Sequence, residues 1–189
     1  MEPASSKLFV ISGPSGVGKG TLVARARARI PGLGLTVSAT TRPKRPGEVD
    51  GVDYYFLTDE EFTQRVDEGG FVEWAQVFDH RYGTPVSEVE RNLGQGRSVI
   101  LEIDVQGALQ VRERYPEAVL VFIMPPSLKV LRERLTARGT EAPEALELRL
   151  ATAEHEMELA PAYDAIVVND DLDAATDELV DLLESYERN

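Results

Sequence analysis

Cysteine is absent from this chain of 189 residues, and histidine occurs only at His80 and His155. The lack of thiols excludes disulfides, cysteine nucleophiles and thiolate metal sites, and two scattered histidines do not make a histidine-based metal cluster. Any chemistry must therefore come from carboxylates, hydroxyls, lysine and arginine.

Basic residues are in the minority, with 20 Lys+Arg against 33 Asp+Glu and a formal net charge of -13. Most of such a surface repels a phosphate backbone, so neither nucleic acid nor an anionic membrane is expected as a partner. An anionic small molecule would need a local basic site.

Long apolar runs are also missing. No stretch approaches the ~18 apolar residues that span a bilayer, and residues 1–6 lack the basic and apolar regions of a secretory signal. These absences lead us to expect a soluble, cytoplasmic protein.

Hydrophobic residues make up 42% of the chain, enough for the core of one domain with lobes or lids. Short apolar runs alternate with helical patterns, which predicts an α/β fold with a parallel sheet wrapped by helices. The predicted strands are 7–12, 98–103, 118–124 and 165–168, and the predicted helices are 21–30, 106–114, 127–138 and 172–186.

Two segments depart from this alternation. Residues 36–90 contain turn signals, two aromatic runs and a short predicted helix over 59–67, and we interpret them as an inserted lobe. Residues 137–144 form a polar stretch between two helices, with Pro143 in the first turn of the second. We predict a lid there.

A glycine-rich loop follows the first predicted strand. Residues 13–19 read GPSGVGK, which matches the phosphate-binding pattern G-x-x-x-x-G-K in its required setting between a strand and a helix. Its glycines allow successive N–H groups to face phosphate oxygens, and Lys19 supplies a point charge. The alternative interpretation of this segment is an ordinary glycine-rich turn at the start of a helix. Gly20 stands where Ser or Thr usually offers a hydroxyl to Mg²⁺, so phosphates and waters are expected to hold the metal. The next hydroxyl along the chain is that of Thr21.

Arginines in the inserted lobe predict a second anion site. Two prolines in SATTRPKRPGE, residues 38–48, exclude a regular helix and hold Arg42 and Arg45 on an extended or turned segment. Their guanidinium groups suit a dianionic phosphate, to which Tyr54 and Tyr82 are candidate hydroxyl donors. The alternatives are a solvated basic turn and ordinary aromatic packing.

Glu73 is an acid within the otherwise apolar run FVEW. A carboxylate there is suited to accept from two neighbouring N–H groups of a base edge, a pair that guanine presents and adenine does not. The pattern alone equally fits the solvent face of an alternating strand.

Taken together, the segments GPSGVGKGT, SATTRPKRPGE, FVEWAQVF, RYGTP, LEIDVQGA, MPPS, RGTE and VVNDD resemble the guanylate kinase family in order and spacing over residues 8–186. The resemblance implies a P-loop kinase fold with a parallel five-stranded core sheet flanked by helices (residues 1–35, 95–133 and 150–189). It also implies an inserted GMP-binding lobe (residues 36–94) and a small lid (residues 134–149).

The resemblance also implies the site residues. Arg134 and Arg138 are four apart and share a helix face, although surface arginines are the alternative for them. Glu102 departs from the Asp common in the family, and Asp104 aligns with an acid near the phosphates that orients the waters of Mg²⁺.

The residues implied to bind GMP are Ser38, Arg42, Arg45, Tyr54, Glu73, Tyr82, Thr84, Glu102 and Asp104. Those implied to bind ATP are Gly13, Pro14, Ser15, Gly16, Val17, Gly18, Lys19, Gly20, Thr21, Arg134 and Arg138. The implied catalytic residues are Lys19, Arg42, Arg134, Arg138 and Arg149.

The implied reaction is reversible transfer of the γ-phosphoryl group of ATP to GMP, with dGMP as a further acceptor, in purine nucleotide metabolism. Mg²⁺ with ATP is the expected cofactor, ATP and GMP are the expected partners, and a monomer or homodimer is expected. The nearest alternative is a kinase for another nucleoside monophosphate. A non-catalytic interaction module is disfavoured by the retained Lys19 and arginines, and a regulatory GTPase by the lack of an N-K-x-D segment.

Overall fold

A computed structural model of the chain describes residues 6–77, 79–137 and 143–188. The described strands are β1 (Leu8–Ser12), β2 (Gly34–Leu35), β3 (Ala39–Thr40), β4 (Tyr55–Phe56), β5 (Phe71–Val77), β6 (His80–Pro85), β7 (Val99–Glu102), β8 (Val119–Met124) and β9 (Ala165–Val168). The helices are α1 (Lys19–Arg29), α2 (Asp59–Asp67), α3 (Val86–Leu93), α4 (Val105–Arg114), α5 (Leu128–Ala137), α6 (Pro143–Glu158) and α7 (Leu172–Glu187), with a 3₁₀ turn at Ala160–Ala162.

Five parallel strands form the core sheet in the order β2-β7-β1-β8-β9. The four apolar runs singled out in the sequence supply four of them, and each is followed by a helix as predicted. The fifth strand, β2, has only two residues, which is too short for a periodicity to reveal. Because the strands are parallel, their carboxyl ends meet at one edge, where ligands bind in open α/β sheets.

Helices cover both faces of this sheet. On one face, α1 and α7 pack against side chains that include Phe9, Ile11 and Leu179. On the other, α3 and α4 pack Val89 and Val105 into a cluster with further strand residues. Burial on both faces explains why the core strands have continuous apolar sequences.

The lobe between β2 and α3 contains a second, four-stranded sheet in the order β4-β3-β6-β5. Its hairpin strands β5 and β6 are antiparallel. Helix α2 spans the predicted residues and begins with a capping box, in which Thr58 and Glu61 satisfy each other's backbone N–H groups. Its Phe62 stacks on Phe71 of β5, with ring centroids 4.4 Å apart.

Helices α5 and α6 pack on each other through a small cluster of their own, formed by Leu131, Leu135, Leu150 and Ala153. Helix α6 begins at Pro143, as the sequence predicts. This helix pair is the part of the structure that borders the predicted lid.

None of the helices among the described residues is long and apolar enough to cross a membrane.

Candidate active site

The glycine-rich loop joins the end of β1 to the start of α1, which begins at Lys19, two residues earlier than predicted. Gly18 caps the helix in the left-handed region, with φ 100°, and no side chain bonds the first N–H groups of α1. Gly13 has φ 140°, and a Cβ on it would lie 2.3 Å from the carbonyl oxygen of Ile123 in β8. Only glycine fits there, so the neighbouring strand fixes the path of the loop. Because the cap residue Gly18 offers no side chain to the first N–H groups of α1, this helix N-terminus is open for an anion.

Lys19 is curled over this loop. Its Nζ donates to the carbonyl oxygens of Gly13 at 2.5 Å and Pro14 at 3.2 Å. Burial lowers the pKa of Lys19, and the charges of Glu102, Glu156 and Asp104 act in the opposite direction. The ammonium group thus lies among carboxylates at the carboxyl edge of the sheet.

A cavity of about 390 Å³ opens beside the loop. Arg134 crosses it, donating to the carbonyl oxygens of Asn169 at 2.9 Å and Val17 at 3.4 Å. Asn169 donates its amide to the same Val17 oxygen at 2.8 Å. The cavity is lined by Gly16, Val17, Gly18, Thr21, Arg134, Ala137, Asn169, Asp170 and Leu172.

Of the other two predicted lid arginines, the structure describes one. Arg149 lies half-buried on α6. Arg138 lies outside the described residues.

The predicted second anion site contains a carboxylate of the chain itself. Glu48 binds Arg42 through two hydrogen bonds of 2.7 and 3.0 Å and also accepts from the Arg45 N–H at 2.7 Å. The Arg42 side chain is only 10% exposed. These partners lower the pKa of Glu48, chiefly through Arg42. Glu48 thus lies between the Arg42 guanidinium and the Arg45 backbone N–H, a position suited to an anionic oxygen group.

Tyr54 and Tyr82 complete this cluster. Their ring centroids are 6.1 Å apart. The Arg42 guanidinium lies over the Tyr54 ring, 5.5 Å from its centroid, and Tyr82 lies beside the same guanidinium. The structure therefore brings the Arg42 guanidinium and both predicted tyrosines together, whereas Arg45 contributes its backbone N–H and is itself exposed.

Glu73 faces inward, and not toward solvent as the alternating-strand alternative would have it. The side chain is 7% exposed. Its Oε1 accepts from the Thr84 backbone N–H at 3.0 Å and from the Thr84 hydroxyl at 2.7 Å. Burial raises the pKa of Glu73 to about 7, helped by the charge of Asp104 and opposed by the Thr84 bonds. A β-bulge beside Phe71 accompanies this departure from simple alternation.

Glu102, at the end of β7, lies between the loop and the lobe. With Ser38 and Tyr54 it lines a cavity of about 280 Å³, and it also acts electrostatically on Lys19. A Cβ on Gly20 would lie 3.3 Å from the Glu102 carboxylate, so Glu102 is near both the first turn of α1 and the cavity of the inserted lobe. Asp104 caps α4 by accepting from the Gly107 N–H at 2.7 Å.

A larger cavity, of about 620 Å³, lies elsewhere along α2. Its lining includes Asp59, Glu60, Asp67 and Glu68. Four carboxylates repel phosphate groups, so this cavity does not suit a nucleotide.

Two carboxylates were not singled out in the sequence. Glu48 stands three residues after Arg45, and its place in a proline-rich turn is a signal for pairing with the neighbouring arginines. Glu88 is 1% exposed on α3 and accepts from the Val37 N–H and the Tyr55 hydroxyl. No sequence pattern distinguishes Glu88 from an acidic residue on the solvent-exposed face of a helix.

A strand-loop-helix phosphate site, together with an arginine-tyrosine cluster and a buried carboxylate in an inserted lobe, defines a P-loop kinase of nucleoside monophosphates. The sequence model of the guanylate kinase family matches residues 5–186. The chain belongs to this family, whose members transfer a phosphoryl group from ATP to GMP.

Individual relatives agree with that assignment. The guanylate kinase of Symbiobacterium thermophilum is 54% identical over 172 residues, which cover 91% of this chain and 82% of that protein. The guanylate kinase of Gloeobacter violaceus is 56% identical over 178 residues, covering 94% and 87%. The crystal structure of guanylate kinase from Anaplasma phagocytophilum superposes with a TM-score of 0.77 at 34% identity and covers 100% of this chain and 90% of that one.

Proposed function

We propose that this chain reversibly transfers the γ-phosphoryl group of ATP to GMP, giving ADP and GDP, through residues of the phosphate loop and of the inserted lobe. The observation that carries the acceptor assignment is the buried Glu73 carboxylate. One of its oxygens is occupied by Thr84, which fixes the side chain so that the carboxylate can accept from N1–H and the amino group of guanine. Adenine has no such donor pair, so the same carboxylate selects against AMP.

The phosphate of GMP is held by Arg42 and Arg45, with hydroxyls from Tyr54 and Tyr82. Glu48 supports this assignment because it already bridges Arg42 and the Arg45 backbone in the way an anionic oxygen group does. The incoming phosphate takes over part of that bonding. Ser38, Thr84, Glu102 and Asp104 are proposed to surround the nucleotide. Since these contacts concern base and phosphate, dGMP is also expected as an acceptor.

The triphosphate of ATP binds at the loop of residues 13–19 and at Gly20 and Thr21, with Lys19 moving from the loop carbonyls to the β- and γ-phosphates. Arg134 lies in the adjoining cavity, and with Arg138 and Arg149 it is proposed to neutralise charge on the transferring group. The acceptor is already an oxyanion, so no histidine or cysteine base is needed. Catalysis then consists of positioning and charge neutralisation.

Mg²⁺ is proposed as the cofactor carried by ATP. Among the described residues, no group of three or more acids or histidines is arranged to hold a metal alone. Glu102, Asp104 and Glu156 nevertheless place carboxylates around Lys19. These oxygen donors fit an ion that keeps most of its waters and is bound mainly by substrate phosphates. When bound, Mg²⁺ neutralises charge on the phosphates.

The segment over residues 36–94 is proposed to act as the GMP-binding lobe, and residues 134–149 as a lid, each closing toward the core. The second sheet carries the acceptor residues, and the α5–α6 pair has its own small core, which supports movement as units. We propose the cytoplasm as the location, where ATP and GMP are found, and a monomer or homodimer as the assembly.

A coupled assay of ADP release tests the function, with ATP, Mg²⁺ and each of GMP, dGMP, AMP, CMP and UMP as acceptor. Turnover with GMP and dGMP alone supports the reaction and the Glu73 assignment. Preference for AMP, CMP or UMP would retain the kinase and reject the role of Glu73. No turnover with any acceptor, combined with measurable nucleotide binding, would favour a non-catalytic module.

A further inference from the structure

One face of α4 packs against β5, the strand that carries Glu73. Among the described residues, β5 is the edge strand of the lobe sheet and pairs with β6 on its inner side. On its outer side, the Gln110 side chain of α4 accepts from the Trp74 N–H at 3.2 Å and donates to the Trp74 carbonyl oxygen at 3.1 Å. Arg114, one turn further along α4, donates to the carbonyl oxygen of Phe71 at 2.5 Å. The helix thus covers the strand edge and supplies the hydrogen bonds of a neighbouring strand.

Gly107 lies on the same face of α4 as Gln110, since residues three apart are neighbours on a helix surface. A Cβ on Gly107 would lie 2.9 Å from Oε2 of Glu73 and 3.3 Å from its carboxyl carbon. The second distance is shorter than an ordinary carbon contact of about 3.5–4.0 Å, and the first is shorter still. A side chain at position 107 would therefore displace the Glu73 carboxylate.

The two oxygens of this carboxylate have different surroundings. Oε1 accepts both hydrogen bonds that Thr84 donates, whereas Oε2 lies beside Gly107. A base edge with two adjacent N–H donors needs the second oxygen as well as the first. The space around Oε2 therefore decides whether Glu73 can meet such an edge with both oxygens.

We propose that Gly107 and Gln110 are specificity-determining positioning residues for the base of the acceptor nucleotide. Gln110 fixes the edge strand by holding the Trp74 backbone, next to Glu73, and Gly107 leaves the room that Oε2 occupies. Neither residue touches the reacting groups, so both act through the Glu73 carboxylate. This inference rests on the proposed role of Glu73 in base selection and adds to it the helix face that sets the position of the carboxylate.

Two substitutions on α4 test the inference. Gly107→Ala adds a single methyl group, and because Gly107 lies in the helix without a positive φ, alanine suits its backbone and favours the helix. Gln110→Met keeps the length of the side chain and removes its donor and acceptor. Each is also made in a Glu73→Ala background, which has no carboxylate to displace. Glu113→Ala, at an exposed position of the same helix, is the matched control.

The readout is the ratio of kcat/KM for GMP to kcat/KM for AMP, with kcat and KM determined separately. Gly107→Ala should lower this ratio about 10- to 100-fold and Gln110→Met about 3- to 10-fold, chiefly through KM for GMP, because a displaced carboxylate weakens base binding. In the Glu73→Ala background, either substitution should change the ratio by less than about 2-fold. KM for ATP should stay constant, and circular dichroism checks that every variant is folded.

An unchanged ratio in Gly107→Ala or in Gln110→Met would overturn the role of that residue. An equal loss with and without the Glu73 carboxylate, or a similar loss in Glu113→Ala, would overturn the inference as a whole, because α4 would then act on the fold of the lobe and not through Glu73. If Glu73→Ala itself kept the wild-type ratio, the base assignment would be wrong, a failure distinct from loss of the α4 contribution alone.

Discussion

The Glu73 carboxylate and Thr84 face each other across the β5–β6 hairpin, joined by two hydrogen bonds of 3.0 and 2.7 Å from the Thr84 N–H and hydroxyl to a single carboxylate oxygen. The second oxygen, Oε2, lies against α4, where a Cβ on Gly107 would be 2.9 Å away. Oε1 is therefore held by Thr84 before any ligand arrives, and the lack of a side chain at Gly107 leaves room for Oε2. This preorganisation makes Glu73 suited to distinguish bases.

Glu73→Gln should lower kcat/KM for GMP by about 10²-fold, because the loss of charge weakens two hydrogen bonds and presents an NH₂ group where guanine also donates. The preference for GMP over AMP should fall by a similar factor. Parallel steady-state assays with both acceptors measure this. Glu60→Gln, which changes an exposed acid on α2, is the matched control, and an unchanged GMP preference in Glu73→Gln would contradict the base assignment.

The pH dependence of GMP use should also report Glu73. Since burial raises its pKa to about 7, the protonated form predominates at lower pH and accepts poorly from guanine. Wild-type kcat/KM for GMP should fall as pH drops below about 7, approaching tenfold per pH unit, because this parameter follows the free enzyme. The kcat/KM of Glu73→Gln for GMP should be low and should change less with pH over the same range. An equally steep fall in the variant would assign the dependence to another group.

The stability of the free protein should depend on pH through the same residue. The folded pKa of Glu73 is raised from 4.5 to about 7, so its favourable contribution is complete below pH 4.5 and is lost as pH rises through about 7. At about 1.36 kcal/mol per pKa unit, the change is at most about 3 kcal/mol. Urea unfolding from about pH 5 to about pH 8 measures it. The free energy of unfolding of Glu73→Gln, relative to wild type, should rise with pH; a constant difference would refute the shift.

Lys19→Ala should reduce kcat by about 10²- to 10³-fold or more, because it removes the cation that we propose to neutralise charge on the transferring phosphoryl group. GMP affinity should change little, since GMP is proposed to bind at Arg42 and Glu73. Steady-state kinetics and calorimetry with GMP alone separate these effects. Lys7→Ala, before β1 and outside the loop, is the control. Near-normal turnover in Lys19→Ala would reject the catalytic assignment.

Arg42→Lys should raise KM for GMP by about 10- to 100-fold, because an ammonium group cannot reproduce the two-pronged contact that Arg42 makes with Glu48 in the free structure. Binding of ATP should be nearly unchanged. Arg25→Lys, at an exposed ion pair with Asp173, is the matched control. Guanosine lacks the phosphate of GMP. If Arg42→Lys weakened the binding of guanosine as much as that of GMP, Arg42 would contact the base and not the phosphate.

Glu88→Ala should lower the free energy of unfolding by about 1–3 kcal/mol, because it leaves the partly buried Val37 N–H and Tyr55 hydroxyl without their acceptor. Arg91→Ala should cost less than about 1 kcal/mol, since that side chain is 51% exposed. Urea unfolding of both variants measures the difference. Similar losses in the two would mean that the ion pair, and not the buried hydrogen bonds, stabilises this junction.

The sequence alone determined four of the five core strands and the helix that follows each of them, because each of these strands is a short apolar run and each helix has its own periodicity. The capped helix α2 and the proline that starts α6 were predicted for the same local reason. The phosphate loop was also predicted, since its glycines and Lys19 are adjacent in the chain. The membership in the guanylate kinase family, implied by the motifs, is confirmed.

Only the tertiary structure decided the rest. Strand β2 has two residues, and the lobe strands β3 and β4 are equally short, so their pairing depends on partners distant in sequence. The burial of Glu73 depends on Thr84 and α4, and the approach of the Glu102 carboxylate to the first turn of α1 depends on the register between β1 and β7. Local sequence fixes backbone preference and chemical type, whereas the environment of a carboxylate comes from residues that meet only after the chain has folded.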